Sequence, residues 1–199
     1  MDIKADWRRK YRIQLETPRF LLRPLITEDV DWLTHLLSDA EVTRYLLEGA
    51  GSPERAKRAA ETMVSLDLRA CHFGLWAIQD KTTDLVHGWT ELSKLRPWAG
   101  PSDEIALSYV LSPTSWGRGI ATEAAGRLLR HAFDALRMDR VMAVILTDNE
   151  VSRRVLEKLG MRCIENPEPI EWEQFQFFHI NAPISAELHP VDESSFEEG

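Results

Sequence analysis

The chain has 199 residues, 44% of them hydrophobic and 28% charged, enough to bury one sizeable core and too few for two full domains. No run approaches the roughly 18 uncharged apolar residues of a membrane span, and the opening MDIKADWRRKYRIQ lacks the apolar segment of a secretory signal, so a cytoplasmic protein is expected. The net charge of −8 argues against a nucleic-acid surface, and most of it sits at one end: residues 187–199 hold five acids and no Lys or Arg, leaving −3 for the rest.

One α/β (α+β) domain over residues 13–184 is therefore expected, between an N-terminal extension (1–12) and an acidic, disordered tail (185–199). Cys71 and Cys163 are far apart and have no metal-ligand spacing, so reduced, buried thiols and no metal site are expected.

In chain order, RFLLRPL (residues 19–25) alternates as a strand does, and Thr27 is placed to cap a helix with Glu28 and Asp29 in its first turn. The apolar stripe of that helix is Val30, Leu33, Leu36 and Leu37. A second helix is expected from Ser52 as cap and Pro53 at the first position, striped by Ala56, Ala59, Ala60, Met63 and Val64. HFGLWAIQ, LVHGWTELSKL and EIALSYVL then read as three strands of an antiparallel meander. From Ile120 the apolar positions Ala124, Ala125, Leu128, Leu129, Ala132, Phe133 and Leu136 line one helix face, and VMAVIL (141–146) has the composition of a strand covered on both faces. Strand, helix and buried strand make a right-handed βαβ crossover. A helix from Asp148 or Asn149, with Val151, Val155, Leu156 and Leu159 inward, stops at Gly160. MRCIE and EWEQFQFFHI close the fold as strands.

Between the third meander strand and the Ile120 helix lies SPTSWGRG. Gly117 and Gly119 let the backbone approach a ligand, and the unpaired N–H groups of the helix start carry partial positive charge. This is either a phosphate cradle or a plain turn that needs positive φ. A Walker loop is excluded because no G-x-x-x-x-G-K-[ST] string occurs. A dinucleotide fingerprint fits poorly: Thr122 stands in place of the third small residue, and the only candidate acid, Asp148, is too far along.

W-G-R-G-I-A-T-E-A-A, set after YVLSP and before VMAVILTDNEVSRRVLEKLGM, resembles the acetyl-CoA binding core of the GNAT superfamily of N-acetyltransferases. Together with RFLLRPLITEDVDWL it is similar to the RimJ/RimL-like branch, over residues 15–182. The resemblance implies the GNAT fold, a mixed, mostly antiparallel sheet of about seven strands with helices on both faces and a central βαβ core. It implies that Trp116, Gly117, Arg118, Gly119, Ile120, Ala121 and Thr122 form the cofactor loop, with amides of 117–122 on the CoA pyrophosphate. It further implies that the strand ending in Val110 and Leu111 splays from VMAVIL, takes the pantetheine arm as an added strand and holds the thioester oxygen. Asn149 matches the branch's Asn, expected at the pantetheine or acceptor; the plainer reading is an ordinary N-cap.

The implied reaction is acetyl transfer from acetyl-CoA to a primary amine, a protein or peptide N-terminus or a small amine, attacked directly in a ternary complex. The amine must lose a proton and the thiolate must gain one. Many family members place a Tyr on the last helix as the acid; none occurs here between 149 and 160. Ser152, of N-x-x-S, is the matched hydroxyl, although it could also complete the helix cap. Glu104 matches the branch's acidic position as base and Glu91 is the second candidate, each with a solvated surface carboxylate as the plainer reading. The missing Tyr keeps open a non-catalytic acyl-CoA-binding module. Trp76, Trp89, Trp98 and Trp116 are candidates to wall the site or to fill the core. Partners beyond acetyl-CoA and the amine are not implied, nor is a nucleic acid or a membrane; the chain is expected to be a monomer or a homodimer.

Overall fold

The computed structural model describes residues 13–46, 52–67, 74–95, 104–164 and 174–183. The extension, the acidic tail, Cys71 and Trp98 lie outside the described residues.

Eight strands form one sheet in the order β1-β2-β3-β4-β5-β6-β8-β7. They are β1 (Leu15–Glu16), β2 (Phe20–Pro24), β3 (Gly74–Asp80), β4 (Val86–Lys94), β5 (Ile105–Leu111), β6 (Arg140–Leu146), β7 (Arg162–Ile164) and β8 (Phe175–Asn181). Every neighbouring pair is antiparallel except β5 with β6, which run parallel across the helix between them. The strand beyond the expected seven is β1, whose two residues are too few to leave a period-two signal.

Period-two alternation sorts the sheet residues onto two faces. Trp76, Ile78, Leu92, Leu107 and Leu111 pack on one side with Leu128, Ala124 and Ala125 of α4 (Ile120–Asp134). Leu75, Ala77 and Trp89 face the other way, toward α1 (Val30–Ser38) and α3 (Pro53–Asp67). Trp76 and Trp89 are therefore core residues, not walls of a site. Ser52 caps α3, its hydroxyl accepting the Arg55 N–H at 3.3 Å. The small buried Ala56 and Ala60 let α3 lie close beneath the sheet.

The first helix does not start on a Thr27 cap. A 3-10 turn, Thr27–Asp29, precedes α1, and no side-chain cap is made at its start. The carboxylate of Asp29 reaches back instead, accepting the Ile26 N–H at 2.8 Å and the Trp32 indole N–H at 2.7 Å. The Arg23 guanidinium closes on both of its oxygens at 2.7 and 2.8 Å. Burial pushes the Asp29 carboxyl up, but these bonds and the Arg23 charge hold it below its ordinary value. A four-residue helix that the sequence pattern did not mark, α2 (Ala40–Thr43), follows from an Asp39 cap.

The final helix is α5 (Glu150–Lys158). Leu156 is buried, and Val155 and Leu159 pack beside it, but Val151 is 62% exposed, not inward as its spacing suggested. It sits in the first turn of the helix, on the side turned to solvent. Cys163 on the short strand β7 is a free thiol, and it is exposed, not buried. Gly160 has φ +80°, the left-handed end expected of it.

Candidate active site

The parallel pair β5–β6 is joined in register only at Ala106↔Met142. Beyond that pair the two strands part, and the Leu111 carbonyl is satisfied by the Trp116 indole N–H at 2.9 Å, with no β6 amide in reach. On its other side β5 stays fully laddered to β4, from Lys94↔Ile105 to Gly88↔Leu111. The open ends of β5 and β6 lead into the Gly-rich loop and into α5, the end of a parallel pair where ligands bind in α/β sheets.

β4 carries a bulge here: Ile78 faces two residues, His87 and Gly88, between the pairs Ala77↔Trp89 and Gln79↔Val86. Gly88 has φ +153°, and a Cβ on it would lie 2.0 Å from the Val110 carbonyl oxygen, so only glycine fits. Buried His87 shares a hydrogen bond of 2.7 Å with the Ser115 hydroxyl, on the 3-10 turn Pro113–Ser115 that delivers the loop. Burial pushes the His87 imidazole below its ordinary value, helped by the Arg118 charge and opposed by Asp80.

In the loop, Gly117 and Gly119 take φ of +71° and +73°. Among the described residues the N–H groups of Gly119, Ile120, Ala121 and Thr122 have no protein acceptor; the first bond of α4 is from Glu123 N–H to Gly119 O at 3.0 Å. Four convergent donors, the positive end of a helix of 15 residues and the exposed Arg118 side chain, which makes no ion pair among the described residues, make a seat for a phosphate group. The sequence did not mark the pair that braces this loop. The Arg19 guanidinium binds Glu123 through Nε at 2.7 Å and the Arg118 carbonyl through both terminal nitrogens at 3.2 Å.

The remaining candidates divide by position. Glu91 pairs across from Ser108, whose hydroxyl donates to it at 3.1 Å, just past the point where β5 leaves β6. Glu104 lies at the other end of β5, about 23 Å of strand away from Leu111, and the Arg140 guanidinium at the start of β6 holds both its oxygens. The structure does not bring Glu104 to the loop. Asn149 caps α5, its Oδ1 accepting the Ser152 N–H at 3.1 Å. Ser152 is half-buried, and its carbonyl accepts the Tyr109 hydroxyl at 3.1 Å. Burial pushes the Tyr109 phenol well above its ordinary value, so it stays protonated. The aromatic hydroxyl that α5 lacks is thus supplied beside α5 by β5. An exposed pair, Arg44 with Asp148 at 3.6 Å, rims this opening.

A phosphate seat at one end, an unpaired strand edge in the middle, the Glu91 carboxylate on one face of the sheet and the Tyr109 and Ser152 hydroxyls on the other fit a long phosphorylated thioester such as acetyl-CoA. Among the described residues no cluster of three or more His, Cys, Asp or Glu could hold a metal ion, and no helix is long and apolar enough to cross a membrane.

Comparison with known proteins points the same way. The family model described as the Acetyltransferase (GNAT) domain matches residues 19–162. The chain is 32% identical over 151 residues to the uncharacterized N-acetyltransferase YoaA of Bacillus subtilis, covering 74% of this chain and 82% of that one. It is 28% identical over 156 residues to FsC-acetyl coenzyme A-N(2)-transacetylase of Aspergillus fumigatus, covering 76% and 66%. Among solved structures, the acetyltransferase from Agrobacterium tumefaciens superposes with a TM-score of 0.71 at 21% identity, over 85% of this chain and 94% of that one. RimL, a ribosomal alpha-N-protein acetyltransferase solved in complex with coenzyme A, superposes with a TM-score of 0.67 at 16% identity, over 85% and 98%.

Proposed function

The chain belongs to the GNAT family of acetyltransferases, enzymes that use acetyl-CoA, and on that premise we propose that it acetylates a primary amine, as a member of the RimJ/RimL-like branch. The acceptor is a protein or peptide N-terminus or a small amine. One observation carries the reading: β5 leaves β6 after a single paired register, beside a loop with four unsatisfied amides.

In this reading amides of residues 117–122 hold the pyrophosphate, Arg118 adds charge at its rim, and the free edge of β5 at Leu111, next to Val110 whose carbonyl is turned to β4, receives the pantetheine arm as a strand would be received. Trp116 props the strand end open through its bond to the Leu111 carbonyl. Acetyl-CoA supplies the activated acyl group. The amine nitrogen bonds to the acyl carbon, the carbon–sulfur bond breaks, and the amine proton passes to Glu91 directly or through water. A β5 amide near Val110 or Leu111 holds the thioester oxygen as charge develops on it. Ser152, on the α5 turn that Asn149 caps, protonates the departing sulfur, and the Tyr109 hydroxyl steadies that turn through the Ser152 carbonyl. Glu91 is preferred to Glu104 as base because Glu104 is engaged by Arg140 at the closed end of β5. The acidic balance of the chain favours a cationic acceptor.

The test is thiol release from acetyl-CoA over a panel of peptides with free N-termini, polyamines and amino acids. Release with a primary amine is expected; tight acetyl-CoA binding with no release from any amine overturns the reading. With the acceptor found, Glu91→Gln is expected to lower kcat by roughly 100-fold or more at neutral pH and Glu104→Gln to leave it unchanged. The reverse order would return the base to Glu104.

A further inference from the structure

We infer that Arg19 and Glu123 form a clamp that aims the Gly119 amide into the pyrophosphate seat, making Arg19 a positioning residue for coenzyme A. The inference rests on the assignment of residues 117–122 as that seat.

Arg19 is 104 residues from Glu123 and stands on a turn built to hold still. Thr17, 4% exposed, accepts the Phe20 N–H at 2.8 Å and returns its own hydroxyl to the Phe20 carbonyl at 3.2 Å. The Lys81 N–H takes the Arg19 carbonyl at 3.1 Å. From this base the Arg19 N–H meets Glu123 Oε1 at 3.0 Å and its Nε meets Oε2 at 2.7 Å. Both terminal nitrogens converge on one acceptor, the Arg118 carbonyl.

That carbonyl is the other half of the Gly119 amide. In a trans peptide the C=O and N–H lie in one plane and point in opposite directions. With the oxygen held on the Arg19 side, the Gly119 N–H must face the opposite side, where the free N–H groups of the first turn of α4 gather. Gly119 at φ +73° has the backbone freedom to accept that orientation.

The clamp also settles a charge problem. Glu123 is a carboxylate in the first turn of α4, beside a seat for an anion. Arg19 neutralises it and draws it back against the Thr17 turn. Burial pushes the Glu123 carboxyl up, but the nearby Thr17 hydroxyl and the bonds from the Arg19 side chain and backbone bring it below its ordinary value, so the pair stays charged. Only a guanidinium fork spans carboxylate and carbonyl together; a lysine ammonium can serve one of them. Because the pair is half exposed, 47% at Arg19 and 20% at Glu123, its direct worth to stability is small. Its effect should appear at the ligand.

The test compares equilibrium binding of coenzyme A with binding of pantetheine, which lacks the pyrophosphate, in the full chain and in Arg19→Met, Arg19→Lys and Glu123→Gln. Arg19→Met is expected to weaken coenzyme A about tenfold, the size of a degraded charge-assisted hydrogen bond. Arg19→Lys and Glu123→Gln should fall between it and the unaltered chain. Pantetheine binding and the melting temperature should stay the same in all. Equal losses on both ligands would reduce the pair to a structural contact, and unchanged coenzyme A binding would remove any role; either overturns the clamp. An unaltered chain that binds pantetheine as tightly as coenzyme A would overturn the seat itself, separately from Arg19.

Discussion

The two ends of the β5–β6 pair are built from the same strands and behave as opposites. At the start, Ala106 and Met142 are in register and Arg140 ties Glu104 across the seam. At the finish, the strands separate, the last carbonyl of β5 is taken by an indole, and a glycine bulge on β4 presses against the Val110 carbonyl from the other side. The closed end is ordinary sheet, satisfied by its own groups. The open end keeps its geometry through contacts from elsewhere, so its amides remain available to a ligand.

The contrast can be broken most severely at Gly88. Gly88→Ala forces a Cβ into the Val110 carbonyl at a backbone angle other residues avoid, and is expected to cost about 2–4 kcal/mol, read as a lower urea midpoint together with weaker coenzyme A binding. Gly117→Ala and Gly119→Ala come next. A Cβ at Gly117 meets open space, so the expected loss of about 1–2 kcal/mol is conformational; Gly117→Asn, which tolerates left-handed φ, should recover part of it. A smaller effect follows from pH. Burial lowers His87 and His131 in the folded chain, so they stay neutral while the unfolded chain takes up protons. Their stability contribution is whole above about pH 6.5 and is lost as pH falls below it. Denaturation midpoints should decline between pH 7 and 5.5, less steeply in His87→Gln. Least of all is expected from the closed end: Glu104→Gln should change stability by less than about 1 kcal/mol and leave coenzyme A binding unaltered.

Every strand but the two-residue β1 was legible: alternation over five or more residues marked the meander strands and β8, an unbroken apolar run marked β6, and MRCIE covers the three-residue β7. The loop at Gly117 and Gly119 was legible for the same local reason: positive φ and a helix start need particular residues at adjacent places. What stayed hidden depends on distance along the chain. Arg19 reads as the first residue of a strand and Glu123 as the polar face of a helix, and nothing local says that they meet. Gly88 did carry a signal, since a lone glycine inside a strand pattern marks a bulge or a close backbone approach. The parting of β5 from β6 has no such mark, because each strand alone has ordinary strand composition. Glu104 stood ahead of Glu91 as base for that reason, and it takes the register of β4 on β5 and the Arg140 bonds to Glu104 to reverse the order. Val151 and Cys163 met the helix and buried-thiol patterns and still lie at the surface, where the first turn of α5 and an edge strand run past the core.

The single rung between β5 and β6 also bears on how the molecule comes apart. β1 to β5 form one continuous ladder and β6 to β8 another, so the two halves are welded chiefly by side chains of α4 and α5 packed across the seam. Such a joint allows sub-global opening, in which the smaller three-stranded unit detaches at a lower free energy than the five-stranded one unfolds. Any molecule lying along the gap would act as a missing strand. Hydrogen exchange in β6 and β8 would then slow on binding far more than in β2 and β3, and the substrate would become part of what makes the fold cooperative.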